Sequence, residues 1–246
     1  MKLMVLTAAV FPSEAEARAK LWVFLKSCEK FGVEPTFYGI GRKFPGYRAM
    51  KLDFQLEWLK AYTGDASHVI FTDSWDAFFC APLTEIIAKH EAMGAPPILV
   101  SAAHQAWPRE QGDDESYGSK TYRYPHVGGY IAEIPAIIDA FERMLKLPRQ
   151  TGDDCFNWFD AWQEGWFRPQ VDSGCEIFQV GEENTEVVSR LPGRSPQPTP
   201  DSTVRLRNTI TGSYPCILHL PGGYTDQVTG KDAAMIPWAK RLGVIE

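Results

Sequence analysis

Apolar positions change period repeatedly along this chain, and each change marks an element boundary. Leu3 to Leu6 form a compact apolar run, read as a first strand. Pro12 and Ser13 then open a helix, with Ser13 and Glu16 at capping-box spacing. Ala17, Leu21, Leu25, Cys28 and Phe31 fall on one face of a single helix, which Gly32 stops. Pro35 to Ile40 read as a second strand and 41–46 as a loop. Leu52, Leu56 and Leu59 mark the inner face of the next helix. His68 to Thr72, HVIFT, is a short continuous apolar run of the kind buried on both faces of a parallel sheet.

Strand and helix thus alternate through the first 72 residues, which predicts an α/β fold with a doubly wound, mostly parallel sheet and helices on both faces. Further strands are expected at Ile98 to Ala102, Gly128 to Ala132, Val204 to Arg207 and Cys216 to His219. Helices are expected from Pro135 to Leu147 and from Asp154 to Trp162, and the segment 191–200 is a surface loop. Neither an internal repeat nor a domain boundary interrupts the pattern, so residues 1–246 read as one domain.

Composition narrows the function. The net charge is -6 and no basic run appears, which argues against an electrostatic nucleic-acid footprint. Cys28, Cys80, Cys155, Cys175 and Cys216 are odd in number, widely spaced and without a CxxC pair, so buried free thiols are expected. The N-terminal apolar stretch is too short for a signal peptide, and no run reaches the ~20 residues of a spanning helix. A soluble, cytoplasmic protein is the expectation.

In open α/β sheets ligands sit at the carboxyl ends of the strands. Asp73-Ser74-Trp75-Asp76 falls there, directly after HVIFT. Two carboxylates three residues apart on such a turn can converge on Mg²⁺ or Mn²⁺; the alternative is one turn cap and one solvated side chain. Trp75 offers either a face for a uracil ring or one more core indole. His219 ends its strand ahead of Pro221-Gly222-Gly223. It is a candidate third ligand, its nitrogen favouring Mn²⁺, or else a structural histidine. Gly222 would let backbone N–H groups approach phosphate oxygens. Asp153 and Asp154 suit a helix N-terminus electrostatically. They could equally bind sugar hydroxyls, accept a proton or stabilise an oxocarbenium-like transition state.

The ordered set resembles the glycosyltransferase domain of the procollagen lysyl hydroxylases and related collagen glycosyltransferases, a GT-A type fold. The likeness runs from KLMVLTAA through FTDSWD, VSAAHQAWP, YPHVGGYIA, TGDDCFNWF and VDSGCEIFQV to CILHLPGG. It implies that Asp73, Asp76 and His219 hold Mn²⁺ or Mg²⁺, and that Trp75 stacks on uracil, where the family usually carries tyrosine. It implies too that Thr7 lies near the uridine, that Lys51 faces the nucleotide and that Trp107 covers the sugar pocket. Gly128 and Gly129 would lie by the donor sugar, and Asp153 and Asp154 would serve transfer. The chain departs from the family at two places. His126-Val127 stands where the family has Asn-Ser before the glycine pair, and Leu220-Pro221-Gly222 where it has Gly-Asn-Gly.

The resemblance implies a metal-dependent transferase moving glucose or galactose from a UDP-sugar to an acceptor hydroxyl. Residues 1–80 would form the nucleotide-binding half and 81–246 the donor-sugar and acceptor half. Collagen modification needs a secretory compartment and a hydroxylase partner, and the chain shows neither. Three alternatives follow: a microbial or phage enzyme glucosylating hydroxymethylated DNA bases, a polysaccharide or small-glycan transferase, or a nucleotide-sugar-binding module weak in transfer.

Overall fold

The structure, a computed structural model, describes residues 1–43, 50–106, 120–147, 154–189, 204–221 and 230–246. Trp107, Asp153, Gly222 and the expected loop 191–200 lie outside them, as does the end of the expected 41–46 loop.

Strand β1 (Leu3–Ala8) leads into helix α1 (Glu14–Lys20), whose first turn is closed by the Glu16 N–H donating to Ser13 Oγ at 3.2 Å. The single helix expected here is divided in two. At Leu21 the backbone leaves helical geometry (φ -99°, ψ 28°), and α2 (Trp22–Phe31) starts directly after it. The two segments bury their apolar residues in different places: Ala17 and Leu21 join Ala9 and Phe11, whereas Phe24 and Cys28 pack beneath the sheet. Gly32, at φ 64°, ends α2 as expected.

Next come β2 (Pro35–Tyr38), α3 (Met50–Ala61), β3 (His68–Thr72), β4 (Ala77–Phe79), α4 (Leu83–Ala92) and β5 (Ile98–Ala103). They are followed by β6 (Tyr124–Glu133), α5 (Ile134–Met144), α6 (Asp154–Gln163), β7 (Gln170–Val171) and β8 (Phe178–Val180). The chain closes with β9 (Thr185–Val188), β10 (Arg205–Asn208), β11 (Ile217–His219) and α7 (Gly230–Arg241). The central sheet has the order β2-β1-β3-β6-β5-β7. HVIFT is β3 and is buried, but its two neighbours differ: β1 runs parallel to it and β6 antiparallel. A short apolar run fits either direction, so the sequence pattern alone could not register the reversal.

Alternation along the strands separates two cores. Leu6, Phe71, Val100 and Tyr130 face α3, α5 and α6; Leu52, Leu56 and Leu59 do line α3's inner face. Val5, Ile70, Leu99 and Ile131 face α2, α4 and a small second sheet of order β4-β11-β8. Helices therefore cover both faces. The five cysteines are free, four of them buried and Cys155 half-buried. Among the described residues no helix is long and apolar enough to cross a membrane.

Candidate metal and donor-sugar site

The site forms where the two sheets meet, just past the end of β3. Each proposed ligand is fixed by backbone pairing. The Asp73 N–H donates to the Gly128 carbonyl at 2.9 Å, which ties the turn to β6. Asp76 immediately precedes β4, and His219 ends β11 opposite Ala77. The Leu220 N–H reaches the Asp76 carbonyl at 2.7 Å and the Gly181 N–H reaches the His219 carbonyl at 2.8 Å. Two ligands are thus locked across one antiparallel ladder.

The side chains converge. One ligand atom from each of Asp73, Asp76 and His219 lies within 4.8 Å of the others. His219 Nε2 stands 3.3 Å from Asp76 Oδ1 and 3.8 Å from Asp73 Oδ2. Neighbouring ligands around an octahedral ion with bonds of about 2.1 Å stand about 3 Å apart, so this set needs little adjustment to hold one. Asp76 and His219 are buried, 6% and 4% exposed, and the Asp73 side chain is only partly covered. Two carboxylate oxygens and an imidazole nitrogen fit Mn²⁺ or Mg²⁺.

Lys51, at the start of α3, bridges the site to α6. Its Nζ lies 3.1 Å from Asp73 Oδ1 and 3.1 Å from Asp154 Oδ2. Burial alone would lower the Lys51 pKa, but Asp154 and Asp73 outweigh it and hold the ammonium well above its usual value. Three carboxylates against one ammonium leave a formal charge of -2 in the site, which suits a divalent ion. Asp154 opens α6 as expected, and the structure adds its ion pair with Lys51, which the sequence did not suggest.

The other expected residues divide. Trp75 is half-buried, its ring 5.4 Å from that of Phe11, within the cluster of Ala9, Phe37 and Ile40. The Thr7 hydroxyl is fully buried and donates to the Thr72 carbonyl at 2.7 Å, so it holds the ends of β1 and β3 together. Ser74 does the same from the other side, donating to the Ala8 carbonyl at 3.1 Å. Gly128 and Gly129 are glycines because rings cover them. A Cβ on Gly128 would meet His219 Cε1 at 2.0 Å, and one on Gly129 would meet Phe178 Cδ1 at 2.8 Å.

Two site residues carry roles that sequence reasoning did not assign. His126 stacks edge to face with His219, ring centroids 5.0 Å apart. Burial, with the neighbouring His219, pushes its pKa down to about 3, so the ring is neutral. Its place two residues before the glycine pair was the available signal. Asp172 is buried and accepts the N–H groups of Glu176, Ile177 and Phe178, each at 2.9 Å, shaping the turn into β8. Burial nevertheless raises its pKa against those three bonds.

Comparison with known proteins agrees with this architecture. The chain is similar to procollagen-lysine,2-oxoglutarate 5-dioxygenase of Drosophila melanogaster, 27% identical over 162 residues. That alignment takes in 62% of this chain and 21% of the relative, so the chain spans about a fifth of that protein's length. A solved glycosyltransferase involved in glycosylation of the major capsid of PBCV-1 shares the fold at TM-score 0.52. Its identity is 11%, with 96% of this chain and 100% of that one covered. The galactosyltransferase LgtC, in complex with donor and acceptor sugar analogs, aligns at TM-score 0.48 and 13% identity over 100% of this chain and 96% of that one. The central sheet with helices on both faces is the GT-A fold. The PLOD GT domain model matches residues 1–228, and the chain accordingly belongs to the PLOD GT domain family of glycosyltransferases.

Proposed function

We propose that this chain transfers a hexose, glucose or galactose, from a UDP-sugar to an acceptor hydroxyl, with Mn²⁺ or Mg²⁺ held by Asp73, Asp76 and His219. The observation that carries this reading is the convergence of those three ligands beside a buried ammonium. What the ion supplies there is Lewis-acid neutralisation of the charge that builds on the leaving diphosphate. Lys51 adds a point charge toward the same phosphates. Trp75 carries the base, and Thr7 sets the strand ends that position Trp75. Trp107 covers the donor sugar, and Gly222 approaches the phosphates. Asp153 and Asp154 serve the acceptor side. Asp154, paired with Lys51, suits a carboxylate that stays ionised and orients hydroxyls, and Asp153 takes the role of accepting the acceptor proton.

The names of the similar proteins concern procollagen lysine and a capsid, so a hydroxyl carried by a protein is the first acceptor class to try. The test is turnover of UDP-glucose and UDP-galactose with Mn²⁺ across hydroxylysyl peptides, glycans and hydroxymethylated DNA. Asp76→Ala should abolish both transfer and Mn²⁺ binding. Full activity in that variant, or silence of the wild type across the panel, would overturn the reading.

A further inference from the structure

His126 reaches the site through an irregularity in the β5–β6 ladder. Val100 faces Tyr130, yet the next residue, Ser101, faces His126, so residues 127–129 have no partners on β5. A bulge of this kind re-aims side chains beside a site. Ser101 Oγ donates to the His126 carbonyl at 2.6 Å and pins the backbone there. The imidazole consequently lies against His219, one ring away from the metal ligands.

It is not itself one of them, because the convergent set contains only Asp73, Asp76 and His219 among the described residues. Its Nδ1 is occupied, accepting the Gly128 N–H at 3.3 Å. An imidazole nitrogen that accepts a backbone N–H bears no proton, so the ring carries its one proton on Nε2. That Nε2–H makes no hydrogen bond among the described residues, and the side chain is only half-buried. The structure therefore presents one neutral, fixed donor beside the metal ligands. The diphosphate of a bound nucleotide sugar would draw on charged partners, Lys51 and the proposed ion, and a single neutral N–H adds little beside those. A sugar hydroxyl needs only such a donor. Val127, the neighbouring departure from the family pattern, is 5% exposed, packs in the α3-side core and offers nothing polar.

We propose that His126 is a specificity-determining residue whose Nε2–H donates to a hydroxyl of the donor sugar. This rests on the UDP-sugar reading above. The test is calorimetric binding of Mn²⁺, UDP, UDP-glucose and UDP-galactose to the full chain and to His126→Phe and His126→Gln. His126→Phe should weaken the preferred UDP-hexose about 3- to 10-fold, the worth of one neutral hydrogen bond. It should narrow the glucose-to-galactose preference and leave Mn²⁺ and UDP affinities unchanged, and His126→Gln, which keeps an N–H, should recover most of the loss. Equal weakening of UDP and UDP-hexose, or no change in either, overturns the inference while the parent reading stands. Failure of the wild type to bind UDP overturns both. Because His126→Phe could misfold, the wild type supplies a second readout by imidazole-proton NMR with Mg²⁺. The His126 Nε2–H resonance should move on adding UDP-hexose but not UDP, and a resonance indifferent to the sugar overturns the inference equally.

Discussion

Gly128→Ala adds a single methyl group to the back of the proposed metal site. Its Cβ would lie 2.0 Å from His219 Cε1 and 2.5 Å from Nδ1, where an ordinary contact begins at 3.4 Å. The ring must retreat by about 1.4 Å, because the glycine is held: its carbonyl accepts the Asp73 N–H, its own N–H donates to His126 Nδ1, and β6 is paired with β3 from the next residue on. Nor can the His219 backbone give way, since β11 lies between β4 and β8. The only remaining freedom is rotation of the imidazole, which carries Nε2 off the ligand position. Metal–ligand bonds tolerate only about 0.2 Å.

The variant should lose about 1–3 kcal/mol to overpacking, a fall in Tm of about 2–4 °C for each kcal/mol in a chain of this size. Its Mn²⁺ affinity should fall by more than the 10–100-fold typical of disturbing a ligand's supporting partner. Gly129→Ala is the matched control. Its Cβ meets Phe178 Cδ1 and Cε1 at 2.8 and 2.9 Å, a buried ring that holds no ion. It should destabilise comparably and bind Mn²⁺ as the wild type does. Mn²⁺ titration by electron paramagnetic resonance, run beside thermal unfolding, reads both quantities. Wild-type Mn²⁺ affinity in Gly128→Ala would refute the assignment of His219 as a ligand.

Two further substitutions test the charges. Lys51→Met strips Asp73 and Asp154 of their shared ammonium and should cost about 3 kcal/mol, the low end for breaking a buried pair, since Asp73 keeps some solvent. Mn²⁺ should then raise the Tm of the variant more than that of the wild type, and equal shifts would count against a shared Asp73. Elsewhere in the fold, the 3%-exposed Arg205 donates to both oxygens of Glu85 at 2.9 and 2.6 Å, and Arg205→Met should lower Tm by about 6–20 °C. Burial opposes ionisation of Glu85, but Arg205 and Lys89 overcome it and hold the carboxyl below its ordinary 4.5. The stability it contributes is therefore complete above pH 4.5 and lost as pH falls through the lowered native value. Glu85→Gln should flatten the acid limb of Tm against pH in that window, and an unchanged limb would show that the pair has no such role.

How much of this was legible beforehand follows from the range of the forces involved. HVIFT, the Ser13 cap and the Leu52-Leu56-Leu59 face are local patterns, and each is found where the sequence places it. The strands of the small sheet escaped in part because Ala77–Phe79 and Phe178–Val180 are three residues long, too short to show a period. Helix α4 escaped because it buries only Ile86 and His90. Within the site, Asp73, Asp76 and His219 could be marked by their positions at strand ends. The Lys51–Asp154 pair could not, since nothing local relates the start of α3 to the start of α6. The purpose of Gly128 was equally hidden, because the ring it accommodates arrives from β11.

These long-range dependences suggest what the metal would do beyond chemistry. Asp73 is anchored to the central sheet through Gly128, whereas Asp76 and His219 are anchored to the small sheet through the β4–β11 ladder. An ion bound by all three would join the two sheets at the one edge where the ligands meet. The small sheet already packs on the central one through Phe178, Ile217 and Phe79, so the ion would tighten an existing interface rather than create one. Binding energy from the nucleotide sugar would then act on the same interface, because whatever binds the native state alone raises its stability. A site assembled in this way would couple donor occupancy to the packing of β4, β8 and β11, and through the shared cluster of Leu218, Phe78 and Trp238 to the docking of α7.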